Sequence, residues 1–413
     1  MKILVYGTNY SPELTGIGKY TGEMAEWLAD RGHEVRVVTA PPYYPEWKVH
    51  HGYASSRYRF ETANGVGVWR CPVYVPSRLS GLKRILHLLS FAVSSLPIMF
   101  RQLFWRPDVV MAIEPPLFCA PAAWLTARLS GARCWLHVQD FEVDAAFALG
   151  LLSSSRFRRP VLALESWLMR RFDRVSSISQ SMLRHLMDKG VDPAKSILFR
   201  NWSDLHTMKH DPDAAASFRK QHALGERTFL ALYAGNMGEK QGLEIVLQAA
   251  ERLQHEDMLF VLCGEGAAKG GLVSQATHLD NVRFLGLQPL DALPAMLSAA
   301  DVHLVIQKGD AADLVMPSKL TNILAVGGRV VVTAEPESEL GLLLIRQPFL
   351  GYLCRPGSTD DLLSCIKASQ ENMSSDNRQA IRDYAERHLD KAKVLEDFEA
   401  RLRSLVTGPG MDD

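Results

Sequence analysis

Short apolar runs alternate with longer amphipathic stretches along almost the whole chain. The apolar runs are typical of buried strands and comprise residues 3–5, 35–39, 66–69, 108–112, 134–138, 175–179, 228–234, 259–263, 281–286, 301–305, 330–332 and a short run at 351–353. The stretches with helical spacing comprise residues 19–31, 124–129, 160–172, 181–188, 243–253, 293–300, 320–326, 360–373 and 378–405. Because strands and helices alternate in this way, the sequence predicts an α/β protein with two doubly wound, Rossmann-like domains.

A polar stretch at residues 209–226 separates two halves that open with the same pattern. We therefore predict an N-terminal domain over residues 1–205, a C-terminal domain over residues 206–377 and a last helical segment over residues 378–413. In each half an apolar strand leads into a glycine-bearing loop and then into a helix. Since parallel sheets bind ligands at the carboxyl ends of their strands, we expect the two domains to face a ligand cleft.

Glycines mark the loops that follow the first strands of each half. Gly16 and Gly18 stand at the start of the first helix, and the second half carries GNMG at residues 235–238 and GEG at residues 264–266. Glycine lets backbone N–H groups approach an anion, and a helix N-terminus favours negative charge. The alternative is that these glycines only form tight turns. Neither half has the G-x-G-x-x-G spacing of a dinucleotide fingerprint, which argues against a Rossmann dehydrogenase.

The stretch between Thr62 and Pro107 contains no Asp or Glu. Within it residues 85–100 are almost wholly apolar, and at 16 residues this run is too short to span a bilayer comfortably. Its basic flanks favour a segment lying on an anionic membrane surface, and the alternative is a buried helix whose ends are basic. The flanking residues expected to face the membrane are Arg78, Lys83, Arg84, Arg101 and Arg106, and a second basic cluster comprises Arg156, Arg158, Arg159, Arg170 and Arg171.

Titratable side chains gather around the end of the strand at residues 134–138. His137 lies near the end of this strand, and QDFEVD follows it at residues 139–144. Carboxylates directly after a strand are typical of an active-site edge, where an Asp or Glu of this segment, or His137, would act as a base. The alternative for His137 is a hydrogen-bonded histidine of the core, since it lies within a strand.

Composition narrows the classes of function. Lysine plus arginine and aspartate plus glutamate each number 46 among 413 residues, so net charge gives no argument for nucleic-acid binding. The six cysteines are scattered without a C-x-x-C pair, which supports neither a metal cluster nor a disulfide framework. Met1 leads directly into the first strand without the pattern of a signal peptide, and we expect a cytoplasmic location.

Five motifs of the second half follow one another in a fixed order. They are LYAGNMGEKQG at residues 232–242, GEG at 264–266, NVRFLG at 281–286, AADV at 299–302 and PSK at 317–319. Their order and spacing resemble the C-terminal half of GT-B glycosyltransferases of family 4, and the loop of Gly16 and Gly18 is similar to the N-terminal loop of that family. Within the family, the chain most resembles a subgroup that acts in colanic acid synthesis. The stretches most specific for it are residues 9–35, 235–244 and 314–328.

The resemblance implies a retaining transfer of a sugar from a nucleotide diphosphate sugar, without a metal or other cofactor. For the subgroup it implies GDP-fucose as the donor, a polyprenyl-diphosphate-linked saccharide as the acceptor and a role in exopolysaccharide synthesis. We therefore expect a cytoplasmic enzyme that is attached peripherally to the inner membrane. The resemblance also implies that the segment at residues 378–413 packs back on the N-terminal domain.

Without a metal, the leaving diphosphate needs cations, backbone N–H groups and helix N-termini to stabilise it. The resemblance implies this role for Gly16, Gly18, Gly235, Asn236, Lys240, Ser318 and Lys319, and it implies contacts with the donor nucleoside for Glu265 and Asn322. The active-site histidine of the family falls near Gln139 and Asp140, so the catalytic candidates are His137, Gln139 and Asp140. The basic residues that flank the apolar run would face the lipid-linked acceptor as well as the membrane.

Three positions depart from the family pattern. Asn236 and Gln241 replace an arginine and a lysine of many members, with Lys240 one residue before the lysine position, and Asn322 stands where a ribose-binding glutamate is common. An asparagine can hydrogen-bond a hydroxyl, but more weakly than a carboxylate. Two alternatives therefore stay open on the same fold: a nucleotide-sugar 2-epimerase, which converts donor without acceptor, and an inactive nucleotide-binding partner of a polysaccharide-synthesis complex.

Overall fold

The computed structural model describes residues 1–14, 16–77, 81–141, 143–144, 155–239, 241–309, 318–372 and 375–408, and leaves the side chains of residues 155–158, 318 and 375 outside that description. The chain divides into two compact units. The N-terminal unit comprises Met1–Arg200 and Leu395–Asp413, and the C-terminal unit comprises Asn201–Val394. The first boundary thus falls at Arg200 rather than at residue 205.

The N-terminal unit is built on an eight-stranded sheet. Its strands are β1 Lys2–Tyr6, β2 Glu34–Thr39, β3 Arg59–Ala63, β4 Val66–Arg70, β5 Val109–Glu114, β6 Arg133–Val138, β7 Arg174–Ser177 and β8 Ser196–Leu198. Their spatial order is β3-β4-β2-β1-β5-β6-β7-β8, and only β3 with β4 is antiparallel. The helices described between them are α1 Gly16–Asp30, α2 Gly81–Trp105, α3 Ala120–Ser130, α4 Ser155–Met169 and α5 Gln180–Asp188. β1 and β5 are apolar along both faces because helices cover the sheet on both sides.

The C-terminal unit is built on a six-stranded parallel sheet. Its elements are α6 Pro212–Gln221, β9 Phe229–Ala234, α7 Glu244–Arg252, β10 Met258–Cys263, α8 Lys269–Gln275, β11 Val282–Leu285, α9 Leu293–Ala299, β12 Val302–Val305, α10 Ser318–Ala325, β13 Val330–Thr333, α11 Glu339–Arg346, β14 Gly351–Cys354, α12 Thr359–Glu371 and α13 Ser375–His388. The strand order is β11-β10-β9-β12-β13-β14. Along β9, Leu230 and Leu232 pack into one core layer and Ala231 and Tyr233 into the other, as the two-residue period of a strand requires. The predicted fold class of two Rossmann-like domains is confirmed.

Each sheet has a point at which the order of the strands reverses. In the N-terminal sheet β1 lies between β2 and β5, and in the C-terminal sheet β9 lies between β10 and β12. Doubly wound sheets bind ligands in the crevice at the carboxyl ends of such strands. The glycine-bearing loops after β1 and after β9 both leave the sheet at these points, so the architecture places both of them where ligands are expected.

The last predicted helix, residues 378–405, is wrong as a single element. The structure has two helices there, α13 and then α14 Lys391–Thr407. Between them the Lys391 N–H donates to the Ser203 carbonyl oxygen (3.1 Å) and the Ser203 N–H donates to the Leu389 carbonyl oxygen (2.8 Å). Because these backbone groups pair with Ser203, they leave the helical hydrogen-bond ladder. Residues 378–394 belong to the C-terminal unit, and only the part from Leu395 onward packs in the N-terminal unit.

Helix α2 is longer than the sequence predicted. It has 25 residues, about 38 Å at the rise of an α-helix. Among the residues that the structure describes, this helix is long enough and apolar enough to cross a bilayer, judged by length and composition alone. Its inward face includes His87, Ser95 and Gln102, each of which is buried. The helix therefore packs one side against the N-terminal unit. A core helix of a soluble protein meets the same criterion, so length and composition do not distinguish it from a membrane span.

Candidate active site

The two glycine loops of the C-terminal unit pack against each other beside the carboxyl end of β9. Gly264 has a φ of +145°, and a Cβ on it would lie 2.0 Å from the carbonyl oxygen of Gly235. Gly266 has a φ of +156°, and its Cβ would lie 2.4 Å from the carbonyl oxygen of Met237. The Met237 N–H donates to the Glu265 carbonyl oxygen (2.8 Å). Both glycines are therefore required by close contact of backbone with backbone.

Lys319 lies beside the first of these loops, in the first turn of α10. Its Nζ is 4.2 Å from the centre of the Tyr233 ring and 3.6 Å from the position that a Cβ of Gly235 would take. The Tyr233 hydroxyl donates to the carbonyl oxygen of Asn236 (2.6 Å), which holds the ring against the loop. Burial lowers the pKa of Lys319 to about 8, because desolvation disfavours the charged ammonium. No carboxylate of the described residues offsets this shift, which suits a lysine that meets an anionic ligand.

The other donor candidates of the C-terminal unit have mixed surroundings. Glu265 has a side chain that is 55% exposed and pairs with Lys269 at 2.7 Å. Asn322 follows Lys319 by one helical turn, and its Oδ1 accepts the Ser203 hydroxyl at 2.8 Å. The structure thus brings Gly235, Asn236, Glu265 and Lys319 together at one edge of the sheet. Of the remaining predicted residues, Lys240 lies outside the described part of the chain and Ser318 is described in its backbone alone.

The glycine loop of the N-terminal unit contains a buried carboxylate. A Cβ on Gly18 would lie 2.4 Å from Glu13 Oε2, and the Glu13 side chain is itself buried. Glu13 Oε1 accepts the N–H groups of Tyr43 (3.1 Å) and Tyr44 (3.0 Å), and Oε2 accepts the Asn9 amide (2.9 Å). Burial raises the pKa of Glu13, and these hydrogen bonds partly offset the rise. Packing against Glu13 thus requires the glycine at position 18.

Gly16 has a φ of +61° and begins α1. The contact of Gly16 and Gly18 with a diphosphate stays a prediction. For Gly18, the contact with Glu13 supports the alternative that the glycine serves the local structure of the loop.

His137 is a buried residue of β6. Its Nδ1 lies 2.9 Å from the Ser176 hydroxyl, and its ring packs on Phe199 with 4.9 Å between the ring centres. Burial lowers the pKa of His137 to about 3, so the ring is neutral at physiological pH. This environment favours the interpretation of His137 as a histidine of the core. Gln139 is also buried, whereas Asp140 is partly exposed at the carboxyl end of the strand.

A partly buried ion-pair cluster follows Asp140 along the chain. Asp144 accepts from His185 (2.9 Å) and Lys189 (2.8 Å), and Lys189 also pairs with Glu165 (2.5 Å). Burial raises the pKa of Glu165. For Asp144 burial acts in the same direction, but the hydrogen bonds from His185 and Lys189 outweigh it and lower its pKa. Asp144 therefore connects this segment to α5, and Glu142 lies outside the described residues.

The outward face of α2 is apolar while its inward face carries polar side chains. The Ser95 hydroxyl lies 2.5 Å from the Tyr6 hydroxyl, and Gln102 Oε1 accepts from Arg36 at 3.3 Å. The exposed face, here called the apolar stripe, covers about 80° of the helix circumference. It consists of Leu82, Leu86, Leu89, Val93, Leu96, Phe100 and Phe104. A soluble surface helix exposes polar side chains instead, so this face is available to an apolar environment.

The predicted basic residues lie at the two ends of α2. Lys83 and Arg84 are in its first turn and partly exposed, and Arg101 and Arg106 are exposed at its other end. Arg78 lies outside the described residues.

Further exposed apolar side chains continue onto neighbouring helices at Leu125, Leu129, Leu164 and Trp167. Trp167 contacts Trp124 with 6.5 Å between the ring centres, and the guanidinium of Arg171 lies 4.5 Å from the Trp167 ring centre. Arg171 of the second basic cluster thus lies beside exposed aromatic surface.

Two features of these regions were not found from the sequence. One is Glu13, which the sequence shows only as an acidic residue three positions before Gly16, without a periodic pattern around it. The other is the outward direction of the apolar stripe. Its spacing of three and four residues is visible in the sequence, but the sequence has apolar residues on the opposite face as well, such as Leu88 and Phe91.

Two Rossmann-like units, each with a glycine loop at the point where the strand order of its sheet reverses, are the architecture of GT-B proteins. A family model described as glycosyl transferase 4-like domain matches residues 15–202, and one described as glycosyl transferases group 1 matches residues 215–388. The chain is 49% identical over 409 residues to WcaI of Escherichia coli (strain K12), covering 98% of this chain and 100% of that protein. The name of WcaI describes a glycosyl transferase of colanic acid biosynthesis. The chain therefore belongs to the GT-B glycosyltransferases of family 4.

More distant proteins share the fold. The Anabaena protein HepE, solved in complex with UDP, has a TM-score of 0.71 at 16% identity over 98% of this chain and 100% of that chain. Sucrose-phosphate synthase of Thermosynechococcus elongatus has a TM-score of 0.74 at 16% identity over 98% of this chain and 99% of that chain. At these identities the likeness concerns the fold alone.

Proposed function

We propose that this glycosyltransferase transfers fucose from GDP-fucose to a polyprenyl-diphosphate-linked saccharide in colanic acid synthesis, without a metal. The identity of 49% to WcaI supports the process. The observation that carries the donor part is Lys319, a partly buried ammonium beside the glycine loops that lacks a carboxylate partner among the described residues. Such a cation, together with backbone N–H groups, suits the diphosphate of a nucleotide sugar.

In this proposal the C-terminal unit holds the donor. The diphosphate lies at the loops of Gly235 and Gly264, where Lys319 balances the charge that grows on the leaving phosphate. Glu265 and Asn322 contact the nucleoside. The bond between the sugar C1 and the phosphate oxygen breaks, the acceptor oxygen bonds to C1 on the same face, and the acceptor proton passes to the leaving phosphate.

This scheme requires no protein base, which agrees with the low pKa and burial of His137. Asp140, at the exposed end of β6, is then a group that orients a substrate hydroxyl. Gln139 is buried beside it.

The donor is tested by measuring binding and turnover of GDP-, UDP- and ADP-sugars, each with and without EDTA. A preference for GDP-fucose that EDTA does not change is the expected result. A preference for a UDP- or ADP-sugar, or loss of activity in EDTA, would contradict the donor or the metal-free mechanism. Conversion of donor in the absence of any acceptor would indicate the epimerase, and binding without turnover would indicate an inactive partner.

We also propose that the protein attaches peripherally to an anionic membrane, such as the cytoplasmic face of the inner membrane, through α2. The apolar stripe would enter the headgroup region, and the cations at the helix ends would meet anionic lipid. The absence of acidic residues from Thr62 to Pro107 supports this, because a carboxylate there would repel the surface.

The membrane contact is tested with the double variant Val93→Glu/Phe100→Glu on vesicles of phosphatidylethanolamine and phosphatidylglycerol. Two carboxylates in the apolar stripe should weaken vesicle binding at least about tenfold. The matched control is Leu287→Glu, since Leu287 is 73% exposed and lies in the C-terminal unit. Transfer to a short water-soluble acceptor should stay unchanged. Vesicle binding by the double variant equal to that of the control would refute the role of the stripe.

A further inference from the structure

A long loop joins β2 to β3 and begins at the carboxyl edge of the N-terminal sheet. Residues 40–58 carry several aromatic side chains and no helix or strand, and loops of this length in compact domains are usually functional. Two adjacent tyrosines of this loop differ sharply: Tyr43 is 4% exposed, whereas Tyr44 is 38% exposed. The exposed ring of Tyr44 therefore has a surface that the fold itself does not use.

Tyr44 lies directly beside the glycine that begins α1. Its Cε1 is 3.6 Å from the position that a Cβ of Gly16 would take. The missing side chain at Gly16 leaves room next to the ring, at the point where the strand order of the N-terminal sheet reverses. A ligand that occupies the crevice beside β1 would therefore meet the ring of Tyr44.

Buried polar contacts fix the backbone of the loop at Tyr43 and Tyr44. Glu13 Oε1 accepts the N–H groups of both Tyr43 and Tyr44. The Tyr43 hydroxyl lies 3.0 Å from His87 Nε2, and His87 Nδ1 lies 2.6 Å from the Tyr74 carbonyl oxygen. Burial lowers the pKa of His87, which favours the neutral ring. A carbonyl oxygen only accepts, so the neutral ring donates from Nδ1 and accepts the Tyr43 hydroxyl at Nε2. The backbone that carries Tyr44 is thus held in place before any ligand arrives, and it presents the exposed ring beside Gly16.

The basic first turn of α2 approaches the same loop. Lys83 and Arg84 precede His87 by four and three residues, so each is a neighbour of His87 on the helix surface, one turn toward the N-terminus. His87 in turn contacts the Tyr43 hydroxyl. Both side chains are partly exposed. Burial raises the pKa of Tyr44, and the charge of Arg84 acts against this rise, which is consistent with a guanidinium close to the Tyr44 hydroxyl.

We propose that Tyr44 is the platform on which the sugar ring of the acceptor stacks, while Lys83 and Arg84 hold the diphosphate that joins this sugar to its lipid. The proposal rests on the lipid-linked acceptor proposed above and adds the subsite that binds it. A tyrosine ring offers an apolar face to the C–H side of a sugar and a hydroxyl to its polar rim. Two cations in the same turn can reach different oxygens of a diphosphate, and Leu82 and Leu86 of the apolar stripe are exposed in the first turns of the same helix.

The test measures binding of two lipids to the full chain on vesicles in the absence of donor. One probe is undecaprenyl diphosphate that carries a glucose or galactose residue, and the other is undecaprenyl diphosphate without a sugar. The unsubstituted protein should bind the sugar-bearing lipid about tenfold more tightly. Tyr44→Ala should abolish this difference, whereas Tyr44→Phe should keep it because the stacking face is retained.

Two further variants separate stacking from charge. Tyr58→Ala is the matched control, because Tyr58 belongs to the same loop, is 48% exposed and donates its hydroxyl proton to the Ser94 carbonyl oxygen. It should keep the tenfold difference. The double variant Lys83→Ala/Arg84→Ala should weaken binding of both lipids about tenfold and leave their ratio unchanged.

The platform is refuted if the unsubstituted protein binds both lipids equally or if Tyr44→Ala keeps the preference for the sugar-bearing lipid. If the unsubstituted protein prefers the sugar-bearing lipid and Tyr44→Ala loses that preference, but every nucleotide sugar fails in the donor experiment, the proposed transfer reaction is overturned and the platform stands. The two hypotheses therefore fail in different measurements.

Discussion

The glycine loops of the two units share a sequence pattern but differ in what their glycines contact. In the N-terminal unit, Gly18 leaves room for the buried side chain of Glu13. In the C-terminal unit, Gly264 leaves room for the backbone oxygen of Gly235, and Lys319 lies beside that loop. One loop therefore contains a buried carboxylate and the other lies next to a partly buried ammonium.

This difference bears on the division of substrates between the units. A diphosphate carries negative charge, which a nearby buried carboxylate opposes and an ammonium attracts. We therefore infer that the charged part of the donor is bound mainly by the loops near Lys319. The loop of Glu13, which holds the backbone N–H of Tyr44, is better suited to an uncharged sugar. A strand followed by a glycine loop is thus not evidence for an anion site until its charged neighbours are known.

The largest expected effect is that of Gly264→Ala on the C-terminal loops. A Cβ there would lie 2.0 Å from a carbonyl oxygen at a φ of +145°, so the two loops must separate. We expect a loss of about 3 kcal/mol in the free energy of unfolding, together with loss of donor binding. Thermal unfolding and donor titration measure the two effects.

The control for this variant is Gly271→Ala. Gly271 lies in α8, and a Cβ on it would meet nothing within 4 Å. Alanine there should raise stability by about 0.5–1 kcal/mol, because it favours the helix. Equal melting temperatures for the two variants would contradict the packing explanation of the GEG motif.

The second effect is that of Lys319→Met on donor affinity. Removal of a charge-assisted contact to the diphosphate should raise the dissociation constant of the donor about 10- to 100-fold. Lys220→Met serves as the control, since Lys220 is exposed on α6 in the same unit. Isothermal titration with the preferred donor gives both values. An unchanged affinity would remove the electrostatic distinction between the two loops.

The third effect is that of Glu13→Ala on the N-terminal loop. The variant leaves the N–H groups of Tyr43 and Tyr44 without their acceptor, which should cost about 2 kcal/mol of stability. Donor affinity should change less than about threefold, because the donor charge lies elsewhere in this scheme. Glu46→Ala, at a side chain 63% exposed in the neighbouring loop, should change neither quantity. A loss of donor affinity as large as that of Lys319→Met would show that the two loops do not differ in function.

The smallest effect is a dependence of donor affinity on pH. Burial lowers the pKa of Lys319 to about 8, so the side chain is charged below this pH and neutral above it. Donor affinity should therefore fall as the pH rises, by about tenfold between pH 7 and pH 9. Lys319→Arg keeps its charge over this range and should give a flat profile. A profile for Lys319→Arg that matches that of the unsubstituted protein would assign the titration to another group.

The sequence predicted best those elements whose signal is local. The buried strands of both sheets appear in the sequence as continuous apolar runs. The end of α3 was predicted from Gly131, and the structure gives this glycine a φ of +77°. β3 was missed because it is an exposed edge strand without alternation of apolar residues. The break between α13 and α14 was also missed, because it depends on hydrogen bonds to Ser203, which is distant in the sequence.

For the candidate site, motif spacing identified Gly235, Glu265 and Lys319, which the structure brings together. It did not distinguish His137 as a residue of the core, since a strand position near a sheet edge is compatible with either role until its neighbours are known. Ser176 and Phe199 supply that environment from other strands and loops.

The sequence by itself determined the alternation of strands and helices, the positions of the glycine loops and the apolar, acid-free character of the region around α2. These properties follow from residue types at short spacing. The tertiary structure alone decided which face of α2 is exposed, which glycine loop contains a carboxylate and which lies beside an ammonium. Those outcomes depend on contacts between residues far apart in the chain, such as Glu13 with Tyr43 and Lys319 with Tyr233, and short-range patterns carry no information about them.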